Sequence, residues 1–292
     1  MRRTRSSPPA RTRRAVTVLE LLVVLAVVGV LLALLLPAIS ASRAAARRVA
    51  CADGLRQAAL ATVSFAQSEG RFPATAREAA PFRLLARRLE LTTPGREDGW
   101  QTPAVLACPG DGLLSVTTGQ ISYRFHDGTA AILSDYDGTA APFRGRPSGP
   151  QEVSLADVTD GLSQTAILSE RLADGPPDGR RGVRGVDVPG QLTADGLLAA
   201  CPAAAGGPSQ LEAMPRLRQR AGYVHGLPPN ADSCYDMQTR FNPGNAAVAA
   251  TSLHGGGVNV AFGDGRVTMV GNEVDAAVWR AAGTRAGGEL TQ

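Results

Sequence analysis

The sequence has 292 residues, enough for one membrane segment and a separate globular head with a core of its own, and its 30 basic residues outnumber 26 acidic ones for a net charge of +4. The excess is local: Arg2, Arg3, Arg5, Arg11, Arg13 and Arg14 fall within the first 15 residues with no acid among them, and without those six the remainder holds 24 basic against 26 acidic residues. That balance does not imply a basic face for phosphates, and no nucleic-acid partner is expected.

From Leu21 to Ser42 the chain carries no charge, and this run makes about 33 Å of helix, enough to cross a bilayer core. Arginines before it favour a cytoplasmic N-terminus and send the rest across the membrane. Glu20 is the anomaly, because a carboxylate at the membrane edge costs a few kcal/mol unless something neutralises it. If the chain is cut between Ala15 and Val16, Glu20 becomes the fifth residue, and the new amine can pair with the Glu20 of a neighbouring copy.

The run Arg13-Arg14-Ala15-Val16-Thr17-Val18-Leu19-Glu20-Leu21-Leu22 resembles the processing site of type IV pilins and type II secretion pseudopilins. There a basic leader ends in a small residue, a membrane peptidase cuts, and the new N-terminus is methylated. The family's usual Gly and Phe around the cut are here Ala15 and Val16, and Pro37 falls where such pilins often carry a helix-kinking proline. The resemblance implies a leader over 1–15, an assembly role for Glu20 and Pro37, and, as partners, a prepilin peptidase/methyltransferase, other pilin-like subunits and the lipid bilayer. It also implies a single-pass inner-membrane protein with a periplasmic or extracellular head. A plain anchor or secretory signal is the simpler alternative, but neither needs Glu20.

Beyond Pro37, Val49, Ala52, Leu55, Ala59, Val63 and Ala66 recur at helical steps. One long helix is therefore expected over 16–68, membrane-spanning to about 42 and stopped by Gly70 and Pro73. The head, 69–292, begins with a short helical stretch near 77–91. Strand character follows at Leu113–Thr117, Ile121–Phe125, Ala130–Leu133 and Thr165–Leu168, so the expected fold is α+β, an antiparallel sheet laid on the long helix as in pilins. Residues 174–222 show no sustained period and read as a long loop excursion.

Near the C-terminus Val258, Val260 and Phe262 alternate with Asn259 and Ala261, Gly263-Asp264-Gly265 interrupts, and Val267 and Met269 resume the alternation. This predicts a hairpin over 254–270 with Asp264-Gly265 supplying positive φ. The segment from Leu253 to Val267, with His254, nine intervening residues, then Asp264 and Gly265, resembles the His-x9-Asp-Gly element of a large bacterial family of prepilin-like proteins of unknown function. Cys51 to Pro73 is similar to that family's segment after the membrane helix. Val158 to Glu170, with Asp160-Gly161-Leu162-Ser163-Gln164-Thr165, is similar to its internal Asp-Gly-x-Ser-Asn-Thr strand.

Structural roles are expected for His254, as a hydrogen-bonding residue, and for Asp264, as a turn former. Asp157, Asp160 and Glu170 read as a solvated strand start. Asp135 and Asp137 are calcium candidates, since some pseudopilins bind calcium in their heads, but an Asx-type turn is favoured there and no other cofactor is implied. The chain lacks H-E-x-x-H, G-x-S-x-G and P-loop patterns and has three histidines, His126, His225 and His254, so enzymatic activity is not expected. Cys51, Cys108, Cys201 and Cys234 form no C-x-x-C pair and allow three pairings. Cys51–Cys108 with Cys201–Cys234 is one option, and unpaired buried cysteines are another. The resulting reading is a leader-cleaved, N-methylated pilin-like subunit of a type IV pilus or type II secretion pseudopilus. Its rivals are a monomeric membrane-anchored binding module and a zinc- or calcium-dependent exported enzyme.

Overall fold

A capping box opens the long helix α1 (Val18–Glu69): Thr17 N–H and Oγ1–H both donate to Glu20 Oε2, at 2.8 and 3.0 Å, while Glu20 N–H donates to Thr17 Oγ1 at 3.2 Å. The computed structural model describes residues 17–73, 80–85, 88–89, 102–112, 114, 120–129, 153–173, 183–188, 193–204, 222–237 and 246–288. Ala15, Val16, Asp135 and Asp137 lie outside them, as do most of the expected strands at 113–117 and 130–133. The chain divides into two units, 1–45 and 46–292.

In the first unit, α1 exposes its large apolar side chains from Val18 to Ile39, with Glu20 the one charged residue among them, and is long and apolar enough to cross a membrane. Pro37 sits inside it without ending it. Proline has no N–H to give to the preceding turn, and Ser40 Oγ–H donates to the Pro37 carbonyl at 2.8 Å.

In the second unit, the remainder of α1 buries Cys51, Gly54, Leu55, Ala58, Ala59, Ala61, Thr62, Phe65 and Ala66. The buried face is turned slightly from the expected stripe: Leu55, Ala59 and Ala66 belong to it, whereas Val49 is 67% exposed. Small residues set much of the contact, Gly54, Ala58 and Ala61 lying on the buried face beside the expected stripe. At Gly54 an added Cβ would come within 2.7 Å of the Val105 carbonyl and 2.8 Å of the Tyr123 hydroxyl, and Tyr123 OH donates to the Cys51 carbonyl at 2.8 Å. The helix ends at Gly70, whose φ of +71° a residue with Cβ adopts only with strain. The short helix α2 (Ala80–Leu85) then sets Phe82 against Phe125, ring centroids 5.0 Å apart.

The head carries two mixed sheets. The larger has the order β4-β1-β2-β7-β8, from β1 (Tyr123–His126), β2 (Ala166–Glu170), β4 (Gly222–Tyr223), β7 (Gly257–Phe262) and β8 (Val267–Gly271). The smaller has the order β3-β5-β6, from β3 (Val183–Val186), β5 (Ser233–Asp236) and β6 (Ala246–Ala247). The expected single antiparallel sheet is corrected here: β1 pairs with β4, and β3 with β5, in parallel. Both pairs are joined by long connections, the circumstance in which a strand can return parallel.

The 174–222 stretch is likewise more structured than expected, since it holds β3 and the helix α3 (Ala194–Ala200). Their signal is short: Val183, Val186, Val188 and Leu197 are buried, and a disulfide from Cys201 to Cys234 ties the end of α3 to β5.

The larger sheet is covered on both faces. Tyr123, Phe125, Leu168 and Ala261 pack with α1, and Val258, Val260 and Phe262 pack with Tyr235, Ala246 and Trp279 of the last helix, α4 (Ala276–Ala281). This is why every residue of β7 is buried, polar Asn259 included. At the hairpin tip positive φ occurs at Gly265 (+84°) but not at Asp264, which instead accepts the Arg266 N–H at 2.9 Å through Oδ1. Asp264 thus forms the turn by a side-chain bond, a correction to the expected backbone role.

A buried aromatic cluster closes the second core. His225 Nδ1 faces the Trp279 carbonyl at 2.8 Å and therefore donates, and Nε2 accepts from Tyr223 OH at 3.0 Å. His126 lies edge-on to His225, centroids 5.3 Å apart. Burial pulls the His225 imidazole down to about 4, opposed by the bond to Trp279. Burial also holds His126 well below its ordinary range, with His225 and Arg285 adding repulsion. Both rings stay neutral when folded and gain protons on unfolding below about pH 6.5, so stability is complete above that pH and falls as pH drops toward 4, by on the order of 3 kcal/mol for His225. The melting temperature should therefore decline already between pH 6.5 and 5, before most carboxylates protonate. A flat profile from pH 7.5 to 5 would contradict the neutral cluster.

Candidate functional site

Four elements converge at the end of β2. Cys51 comes from the inner face of α1. Cys108 follows a 3-10 turn at Ala104–Leu106, and the two cysteines are disulfide-bonded. The Cys108 loop is pinned at several points: Ser122 Oγ accepts the Cys108 N–H at 3.1 Å and donates to Asp111 Oδ2 at 3.0 Å, and the same carboxylate accepts the Ala173 N–H at 3.1 Å. Gly110 fits because it lacks Cβ, which would lie 2.6 Å from His254 Cε1. Its N–H points at both sulfurs, 3.4 Å from Cys51 Sγ and 3.3 Å from Cys108 Sγ.

Glu170, the last residue of β2, is 2% exposed. Its Oε2 accepts the Asn259 backbone N–H at 2.9 Å and its Oε1 accepts Asn259 Nδ2–H at 2.9 Å. His254 Nε2 lies 3.1 Å from Oε1, a hydrogen bond that becomes an ion pair when the imidazole is doubly protonated. Cys108 Sγ stands 3.7 Å from His254 Nε2 and 4.0 Å from Glu170 Oε1. The His254 loop is held by its N–H to Ser252 Oγ at 3.1 Å, by Ser252 Oγ–H to the Gly257 carbonyl at 2.7 Å, and by Ser252 N–H to Asn230 Oδ1 at 2.8 Å. Asn230 takes a φ of +61°, a conformation asparagine tolerates better than most residues.

A small cavity opens beside this cluster, lined in part by Cys108, Gly110, Glu170 and Ser252. The arrangement supplies two sulfurs, an imidazole nitrogen and a carboxylate oxygen, mutually within 4.8 Å. Chemically it can exchange a disulfide or hold a cation.

The three stretches similar to the His-x9-Asp-Gly family thus contribute one residue each, Cys51, Glu170 and His254. His254 and Asp264 are not brought together: they flank opposite ends of β7, and Asp264 keeps 36% side-chain exposure at the hairpin tip. Asp160 and Gly161 serve elsewhere. Asp160 accepts from Thr284 Oγ1 at 2.9 Å, Gly287 N at 2.8 Å and Gly288 N at 2.9 Å, holding the C-terminal segment, while Gly161 makes the adjoining turn at φ +94°. Asp157 caps a 3-10 turn with Ser154. Glu170 was expected at a solvated strand start and is instead a buried hub, because both faces of the sheet are covered. Its signal was Asn259, a polar residue amid the apolar alternation of β7, which needs a buried partner. The Thr17-x-x-Glu20 pattern likewise announced the capping box.

Removing Glu170 leaves two buried donors of Asn259 without an acceptor. Glu170→Ala should cost about 2–4 kcal/mol in urea unfolding, against less than about 1 kcal/mol for Asp264→Ala at the exposed turn. Equal losses for the two variants would remove Glu170 from the centre of the site.

Residues 108–277 match the family model described as Protein of unknown function (DUF1559). The matched stretch opens at Cys108, contains Glu170, His254 and the hairpin, and ends within α4. No curated protein and no solved structure matches the chain. With more than half of its length in that match, the chain belongs to the DUF1559 family of proteins of unknown function.

Proposed function

We propose that this protein is a pilin-like structural subunit, cut after Ala15 and methylated on Val16, that assembles through the first part of α1 into a type IV pilus or a type II secretion pseudopilus. One observation carries the reading: the capped start of α1 sits directly after the arginine-rich stretch, and every large apolar side chain from Val18 to Ile39 is exposed. A surface of that composition needs lipid, neighbouring helices or both.

Glu20 fits the same reading. Both Thr17 bonds fall on Oε2, which leaves Oε1 to accept from the α-amino group of a neighbouring subunit and neutralise the carboxylate at the membrane edge. The six arginines among residues 1–15 support a cytoplasmic N-terminus with the head on the other side, and two disulfides in the head suit an oxidising compartment. The partners of this reading are the processing peptidase, further pilin-like subunits and the bilayer. The role is structural and involves no catalysis by the chain itself.

Mass spectrometry of the protein expressed beside a prepilin peptidase tests the processing step. The expected N-terminus is Val16 carrying one added methyl group, and Ala15→Leu should leave the leader attached because the pocket before the cut takes a small side chain. An N-terminus at Met1 or near Ser42 in the wild-type protein would contradict the proposal.

A further inference from the structure

We propose that the Cys51–Cys108 disulfide is one state of a redox-gated cation site: once a dithiol reduces it, Cys51, Cys108, Glu170 and His254 together hold a zinc ion.

Three of the separations between the ligand atoms already lie near the edges of a tetrahedral site. Bonds of about 2.3 Å from zinc to sulfur and about 2.0–2.1 Å to nitrogen or oxygen imply edges of about 3.3–3.8 Å between ligand atoms. Three edges here are 3.1 Å from His254 Nε2 to Glu170 Oε1, 3.7 Å from Cys108 Sγ to His254 Nε2, and 4.0 Å from Cys108 Sγ to Glu170 Oε1. The edge between the sulfurs is closed by a covalent bond, and cleaving it frees them to separate.

The surroundings are those of a metal centre. Metal-bound carboxylates are normally oriented by outer hydrogen bonds, and Asn259 holds both oxygens of Glu170. The Gly110 N–H faces both sulfurs, which favours thiolate over thiol. Two sulfurs with one imidazole and one carboxylate suit a borderline-soft ion such as zinc rather than calcium or magnesium. Burial of Cys51, Cys108 and Glu170, at 0%, 5% and 2% exposure, would shield a bound ion from solvent.

The step balances as a thiol–disulfide exchange followed by coordination. The reductant's two thiols become its own disulfide, two electrons and two protons pass to Cys51 and Cys108, and both thiol protons leave to solvent as zinc binds. Two thiolates, one carboxylate and Zn2+ leave a single net negative charge. The inference does not depend on how α1 assembles, and its failure would leave the pilin-like reading standing.

Cobalt(II) serves as the probe, on the full-length chain in detergent, reduced with dithiothreitol and desalted anaerobically. The reduced protein should take up one cobalt per chain with thiolate charge-transfer absorption and strong tetrahedral visible bands, and the oxidised protein should not. His254→Gln should weaken uptake by more than the roughly 10- to 100-fold that an outer partner is worth, whereas the Cys201→Ser/Cys234→Ser double variant should keep the bands. Reduction without metal should lower the melting temperature, and stoichiometric zinc should recover much of the loss in the wild type but not in His254→Gln. Equal cobalt uptake by oxidised and reduced chains, bands unaffected by His254→Gln, or no thermal recovery with zinc would each overturn the proposal.

Discussion

The buried carboxylate of Glu170 is the constraint around which the head is organised. A carboxylate withdrawn from water costs several kcal/mol unless charge-assisted hydrogen bonds replace its hydration, and its donors come from different segments. The Asn259 backbone and side chain belong to β7, and His254 belongs to the loop before it. Satisfying Glu170 therefore sets the register of β2 against β7 and the path of the chain from 252 to 257. The adjacent disulfide then fixes α1 to the same point, since Cys51 is on the helix and Cys108 lies within reach of both Glu170 and His254.

Small residues let that constraint reach the helix. Gly54 admits the Val105 carbonyl and Tyr123 hydroxyl, and Gly110 admits the His254 ring. An Ala-rich helix could look like a consequence of composition alone. Here Ala58, Ala59, Ala61 and Ala66 are buried where the sheet approaches closely, so the absence of larger side chains is a packing requirement.

Features governed by local chemistry were legible in the sequence: the long helix and its stop at Gly70, a strand near Thr165–Leu168 that the structure shows as Ala166–Glu170, and the C-terminal hairpin. Those governed by distant contacts were not. Parallel pairing of β1 with β4 depends on connections whose course no periodicity reveals, and β3 is too short to show one. Glu170 looked solvated because an acid at a strand end usually is; only the cover on both faces of the sheet buries it. The cysteine pairing was one option among three until α1 and the Cys108 loop were placed side by side. Asp264, prominent through its spacing from His254, proves to be a local turn residue, and the site partner of His254 lies 84 residues upstream in sequence.

The head and the first part of α1 pose separate physical problems. Among the described residues the head buries most of its large apolar side chains in cores of its own, whereas residues 18–39 leave their apolar surface to be covered by something else. The proposed answer is lipid together with copies of the same helix, registered by Glu20. A photo-crosslinking amino acid placed at Leu25 in membranes of a host with the processing peptidase measures this directly. The account predicts a ladder of dimers and higher species for wild-type Glu20 and largely monomer for Glu20→Ala, with both proteins inserted. A ladder indifferent to Glu20, or monomer alone in the wild type, would contradict it.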